Sequence, residues 1–271
     1  MKANNGNSFQ ALLEKFFLQR LMKQQGASPE TVKSYRDTFR LYIKYLDSCH
    51  SILPTSIMIE HLGAEYTLGF LDDLAVNRNN QPKTINNRLA AIHAFLHFLS
   101  FEVPEYSSVI AKNLMIPFRK EEKRQMDFVT KEEFEALLHV CDTKTNLGCR
   151  DELMLLLLYN SGIRVSEMLG LHGRDIIWST GSSTAYIHVT GKGRKERNIP
   201  LWKSTSKRLS LYMRVHKVDS DTKLFINYSG EELTRSGVRY RLQCLVNEAS
   251  KSASSLKRKN ISPHTFRHYG E

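Results

Sequence analysis

Long apolar runs are missing from this sequence. The longest, Leu153 to Tyr159, covers seven residues, whereas a bilayer core needs about 20. The opening MKANNGNSFQ holds no apolar signal core, so a cytoplasmic chain is expected. Cysteine is scarce and scattered: Cys49, Cys141, Cys149 and Cys244 form no CxxC pair. Buried thiols fit that spacing better than a metal site. No internal repeat, long low-complexity tract or obvious cluster of carboxylates is visible. Neither a metal nor another cofactor is therefore expected.

Acidic residues are the scarcer charge. Lys plus Arg number 39 against 28 Asp plus Glu, which gives +11 and a pI near 9.5. Residues 1–120 carry 14 basic and 10 acidic side chains, and residues 121–271 carry 25 and 18. Both parts are thus basic, as a nucleic acid gripped by both would require. A merely soluble basic protein would show the same excess.

The first part reads as helical. Val32, Tyr35, Phe39, Tyr42 and Leu46 recur at helical spacing after a Ser28-Pro29 start. Ile85, Leu89, Ile92, Leu96 and Leu99 make a second stripe, with Lys83, Asn86, Asn87 and Arg88 on its polar face. That face suits either solvent or DNA. After Pro117 comes a dense charge run without an apolar anchor. The division expected is a helical domain at 1–117, a linker at 118–126 and a second domain at 127–271. Thr130 to Glu133 forms a capping box, and Asp151 to Ser161 reads as a central core helix. Asp175–Trp178, Thr184–Val189 and Glu196–Pro200 are short strand-like pieces between glycine and serine turns. Two further helices are expected at about 204–216 and 236–250. The fold class is mainly α with a small antiparallel β-sheet.

Three stretches of the second part carry candidate chemistry. NSGIRVSEMLGL holds Arg164 and Glu167, VTGKGRKERNIPL holds Lys192, and SPHTFRH holds His264 and Arg267. Ser262 and Pro263 suit a helix start, which would put His264 and Arg267 on one face near the helix N-terminus. Unpaired N–H groups there favour an anion. Arg164 follows a very apolar helix and needs an anionic partner, for which Glu167 is placed. Lys192 lies at a glycine-flanked hairpin tip beside Arg194, Lys195 and Arg197, which could add phosphate contacts. Each stretch alone also fits an ordinary solvated surface.

Taken in order, Arg…Lys…His-x-x-Arg resembles the tyrosine recombinases, the phage-integrase family. SPETVKSYRDTFRLYIKYL and KTINNRLAAIHAFLHFL are similar to two helices of that family's SAM-like core-binding domain. The chain from Asp127 resembles its α+β catalytic domain. The resemblance implies a site-specific recombinase or integrase, of mobile-element type, that breaks and rejoins duplex DNA through a phosphotyrosine link without a metal. It implies that Arg164 and Arg267 hold the phosphate oxygens, that His264 adds a hydrogen bond, that Lys192 protonates the leaving oxygen, and that Glu167 supports Arg164. Lys83, Asn87, Arg88, Arg194, Lys195, Arg197, Arg239 and Arg241 are the expected DNA contacts. The family acts as a tetramer on DNA.

The pattern stops short of its nucleophile. The family places a second His or Trp and then the attacking tyrosine a few tens of residues after His-x-x-Arg. Here Tyr269 follows Arg267 by two positions, and the other ten tyrosines precede His264. The expectation is a catalytic domain incomplete at its C-terminus, which binds DNA and does not cut it. A non-catalytic DNA-binding regulator on the same scaffold is the alternative. A metal-dependent nuclease is the poorer third reading, for want of clustered carboxylates.

Overall fold

The computed structural model describes residues 8–122, 127–181, 183–191 and 195–266. The chain divides into two compact units, Met1–Lys123 and Arg124–Glu271.

The first unit is helical. Helix α1 (Phe9–Lys15) is capped by the Ser8 hydroxyl and runs on through Phe16–Gln24 with the wider i→i+5 bonding of a π-helix. Then come α2 (Pro29–His50), α3 (Ala64–Val76), α4 (Pro82–Glu102) and α5 (Ser107–Leu114). Ser28 caps α2 through its side chain, as its Ser-Pro start predicts. The apolar stripes of α2 and α4 meet α1 in a knot of rings. Phe16 and Phe39 each lie 5.2 Å from Phe95, centroid to centroid. Such tilted and edge-on pairs add to the gain from burial.

Two expectations on this unit need correction. Arg88 turns inward: its Nη1 donates to the Ser34 carbonyl and the Thr38 hydroxyl, each at 3.0 Å. It ties α4 to α2, which the reading of Arg88 as a solvent- or DNA-facing residue did not include. Asn86, also placed on the polar face, is buried. Its side chain takes the Arg119 N–H at 2.8 Å and donates to the Arg119 carbonyl at 2.9 Å. Arg119 also donates to Asp72 at 2.6 Å. The start of the expected linker is thus pinned to the helical unit by a side chain 33 residues upstream; residues 123–126 of that linker lie outside the described residues.

The second unit surrounds a three-stranded antiparallel sheet in the order β1-β2-β3. Its elements are α6 (Lys131–His139), α7 (Asn146–Ser161), α8 (Val165–Leu169), β1 (Ile176–Trp178), β2 (Ala185–Thr190), β3 (Glu196–Pro200), α9 (Lys203–Val215) and α10 (Arg235–Ala249). Ala185, Ile187 and Val189 alternate along β2 and face the core, while Tyr186 and Thr190 are exposed. The register pairs Ile187 with Ile199 and Thr190 with Glu196. The Thr130 capping box forms, with Glu133 accepting the Thr130 N–H at 2.9 Å. Phe134 on α6 stacks on Tyr159 of α7 at 3.8 Å. The expected buried thiols reduce to one: Cys141 is buried, whereas Cys49 is exposed and Cys149 and Cys244 are intermediate. Burial pushes the Cys141 thiol up to about 12.

A buried carboxylate organises the back of this unit. Asp151 on α7 is 0 % exposed. Its Oδ1 accepts from Arg150 Nε and Nη2 at 3.1 and 2.8 Å, and its Oδ2 accepts from Arg241 Nε at 2.8 Å. Arg150 Nη1 also reaches the Ile226 carbonyl at 3.0 Å. Arg241, expected on DNA, is therefore a structural tie from α10 to α7. Asp151→Ala would leave Arg150, itself 4 % exposed, without its counter-charge. Removing one partner of such a buried set costs about 3–5 kcal/mol. Urea unfolding of the variant is expected to show a loss of that size; a loss below about 1 kcal/mol would contradict this account of the pair.

Candidate active site

The site begins where α7 ends. Gly162 closes the helix in the left-handed conformation, φ +54°, which glycine adopts without strain. Ile163 is fully buried and pins the corner. Arg164 follows with extended backbone and leads into α8. Its side chain is 42 % exposed, and its Nη1 donates to Glu167 Oε1 at 2.7 Å. The Arg164 N–H donates to Glu167 Oε2 at 3.0 Å. One carboxylate thus fixes both the main chain and the side chain of Arg164. Among the described residues, Arg164 Nε and Nη2 make no hydrogen bond, which leaves two adjacent donors of one planar group without a partner there.

Glu167 has a second cation, which the sequence did not disclose. Arg197 on β3 meets it with a two-pronged grip, Nη1 to Oε1 at 3.2 Å and Nη2 to Oε2 at 2.8 Å. The sequence offered Arg197 only as a phosphate contact, since nothing local links positions 167 and 197. The Glu167 side chain is 7 % exposed. Burial alone would raise its pKa, but hydrogen bonds from Arg197 and from the Arg164 main chain and side chain outweigh this and hold it at about 2. Two guanidinium groups and one carboxylate leave a net charge of +1 at this corner.

The β2–β3 hairpin starts against the same cluster. A Cβ on Gly191 would lie 3.0 Å from Arg197 Nη1 and 3.5 Å from Glu167 Oε1. The absence of a side chain at 191 lets the strand end sit on the ion pair without crowding the Arg197 guanidinium. The Gly191 N–H closes the hairpin onto the Lys195 carbonyl at 2.7 Å. Lys192 and Arg194, between them, lie outside the described residues, as does Arg267. Lys195 is exposed.

His264 is exposed in a turn whose flanks are anchored. Ile261 and Phe266 are buried, and Phe266, 1 % exposed, meets the Phe134 ring edge-on at 6.4 Å. The expected cap by Ser262 is reversed: the Thr265 hydroxyl accepts the Ser262 N–H at 3.0 Å. The sequence showed Phe266 only as the apolar residue inside HTFR, and that was the available sign that His264 is held from beneath. Lys83 and Asn87 on α4 and Arg239 on α10 are exposed and open to solvent.

Two models of known families match this chain, one in each unit. Residues 127–270 match the phage integrase family, and residues 15–102 match the phage integrase N-terminal SAM-like domain. The chain belongs to the phage integrase family, the tyrosine recombinases. An integrase/recombinase-named protein of Sinorhizobium fredii is 39 % identical over 261 residues, covering 96 % of this chain and 78 % of the relative. The tyrosine recombinase XerD of Listeria innocua is 29 % identical over 261 residues, covering 93 % and 81 %. By fold, the chain resembles XerH recombinase bound to difH DNA, with a TM-score of 0.64 at 20 % identity over 90 % of this chain and 68 % of that one. It also resembles the Tn1549 transposon integrase in complex with transposon right-end DNA, with a TM-score of 0.66 at 16 % identity over 94 % and 84 %. No helix among the described residues is long and apolar enough to cross a membrane.

The depressed pKa of Glu167 has a measurable consequence. Its folded value, about 2, lies below its ordinary value of 4.5. The carboxylate therefore stabilises the fold fully above about pH 4.5, and this contribution fades as pH falls toward 2. The unfolding free energy of the wild type is expected to drop across that window, and Glu167→Gln is expected to flatten the drop. An identical pH profile in the variant would show that the two arginines do not hold Glu167 in solution.

Proposed function

We propose that these 271 residues bind duplex DNA and that the second unit grips one phosphodiester at the Arg164 corner. The observation that carries this reading is a pair of Arg164 donors with no partner among the described residues, beside a cluster of net charge +1. Nε and Nη2 of one guanidinium match two oxygens of a phosphate in a single plane. Lys192 and Arg267, outside the described residues, and exposed His264 complete the set. Arg164, Arg267 and His264 would steady the oxygens as charge gathers on them, and Lys192 would give a proton to the leaving 5′ oxygen. Lys83, Asn87, Arg194, Lys195 and Arg239 would add contacts along the DNA backbone. DNA-bound relatives by fold, among them a lambda integrase dimer bound to a core site, support an assembly of more than one copy on DNA.

On this reading the attacking tyrosine is not supplied by these 271 residues. A nucleophile needs its proton loosened by a base or a cation. Burial raises the Tyr35, Tyr42 and Tyr45 hydroxyls and pushes Tyr212 up to about 12, while Glu60 raises Tyr106. Those five shift against nucleophilic use. The 271 residues then act as a binding module that holds a phosphate without breaking it.

The test uses this chain with nicked duplexes of mixed sequence, which trap any covalent product. Gel retardation is expected, and the binding constant should fall linearly on a log–log plot against salt, because each neutralised phosphate releases counterions. A denaturing gel is expected to show no protein joined to DNA. No retardation at low salt would overturn the DNA reading, and a covalent adduct would overturn the assignment of the nucleophile.

A further inference from the structure

Arg197 has no role in the reaction so far described, yet it grips Glu167, the residue that holds Arg164. We propose that Arg197 is a positioning residue: by holding both oxygens of Glu167 it fixes the base of the β2–β3 hairpin, at Gly191, against the corner that carries Arg164. The inference rests on the phosphate-gripping role proposed for Arg164 and Lys192.

Three observations carry it. The contact is a two-point grip from a strand to a helix corner, at 3.2 and 2.8 Å. A planar fork on a carboxylate sets both distance and tilt, which a single contact cannot do. Second, the hairpin begins on this ion pair. Gly191 is so near that an added Cβ would stand 3.0 Å from Arg197 Nη1, and Lys192 is the next residue. The base of the hairpin thus lies against the Arg197–Glu167 pair. Third, the charges balance only with Arg197 present. Arg164 and Glu167 alone would sum to zero, and Arg164 would face an incoming phosphate with its charge cancelled. Arg197 shares both carboxylate oxygens with Arg164 and restores the net +1.

Direct phosphate contact by Arg197 is the competing role, and it predicts different data. The test compares the wild-type chain with Arg197→Met, Arg197→Lys, Glu167→Gln and the Glu167→Gln/Arg197→Met double variant. Hydrogen exchange is read at the Arg164 amide, which Glu167 holds, and at the Gly191 amide, which closes the hairpin. The NMR shift of Arg164 Nε–H on adding inorganic phosphate is read beside it. Arg197→Met is expected to lower protection at both amides at least tenfold and the phosphate response at least fivefold. Lysine, which keeps the charge but loses the fork, is expected to restore the phosphate response in part and leave the amides about threefold less protected. Within the Glu167→Gln background, removal of Arg197 is expected to add nothing, since both act through one contact. Should the Met variant fail to fold, the Lys variant decides alone, and full protection with lysine overturns the proposal. Unchanged amides in Arg197→Met, with a DNA salt slope reduced by about one, would make Arg197 a phosphate contact and also overturn it. The exchange readout uses no DNA, so a failure of DNA binding in the wild type would count against the proposed function and not against this coupling.

Discussion

Glu167 lies between two guanidinium groups that come from different parts of the chain, Arg164 three residues before it and Arg197 thirty residues after it. The carboxylate is nearly out of solvent, so it stays charged only because both cations and a main-chain N–H converge on it. That one constraint bears on the direction of Arg164, on the hairpin base and on the close fit of Gly191 against the ion pair. The same device recurs on the far side of α7, where buried Asp151 joins Arg150 to Arg241. In each case one carboxylate holds two arginines and leaves the set at +1. At Asp151 the carboxylate and Arg150 are buried, and each of the two guanidinium groups is tied to a carboxylate oxygen. At Glu167 one arginine, 42 % exposed, keeps two donors without a partner among the described residues, which is what a site for an external anion requires.

Rings support the rest of the second unit. Phe134 on α6 stacks on Tyr159 of α7 and takes the edge of Phe266, while Tyr159 also meets Trp202 at 5.9 Å. Three stretches far apart in sequence are thereby locked together: the capping-box helix, the core helix and the turn that presents His264. The exposed histidine is thus carried on a buried phenylalanine two residues away. Chemistry placed on a loop gains its precision from such an anchor.

Much of this was legible from spacing. The strand at Glu196–Pro200 was legible to the residue, and the other two strands to within a residue at each end. The Thr130 capping box and the Arg164–Glu167 pair were legible too, because both are set by helix geometry over three residues. Long-range partners were not. Arg88, Arg197 and Arg241 all read as basic surface, and all three are held by groups 30 to 90 residues away. Composition gives the charge of a side chain but not the carboxylate or carbonyl that folding brings to it. The anchoring of the charge run was hidden for the same reason: its start is held by a buried asparagine on α4.

The central claim is that the Arg164 corner is a phosphate site whose open donors are Arg164 Nε and Nη2. The most direct measurement is a crystal structure of the chain soaked with tungstate, a tetrahedral oxyanion that anomalous scattering locates without ambiguity. The account predicts a tungsten peak with oxygens in hydrogen-bonding distance of Arg164 Nε and Nη2, and with Glu167 still gripped by Arg197. A peak bound elsewhere in the second unit, or one that displaces Glu167 from Arg164, would contradict it.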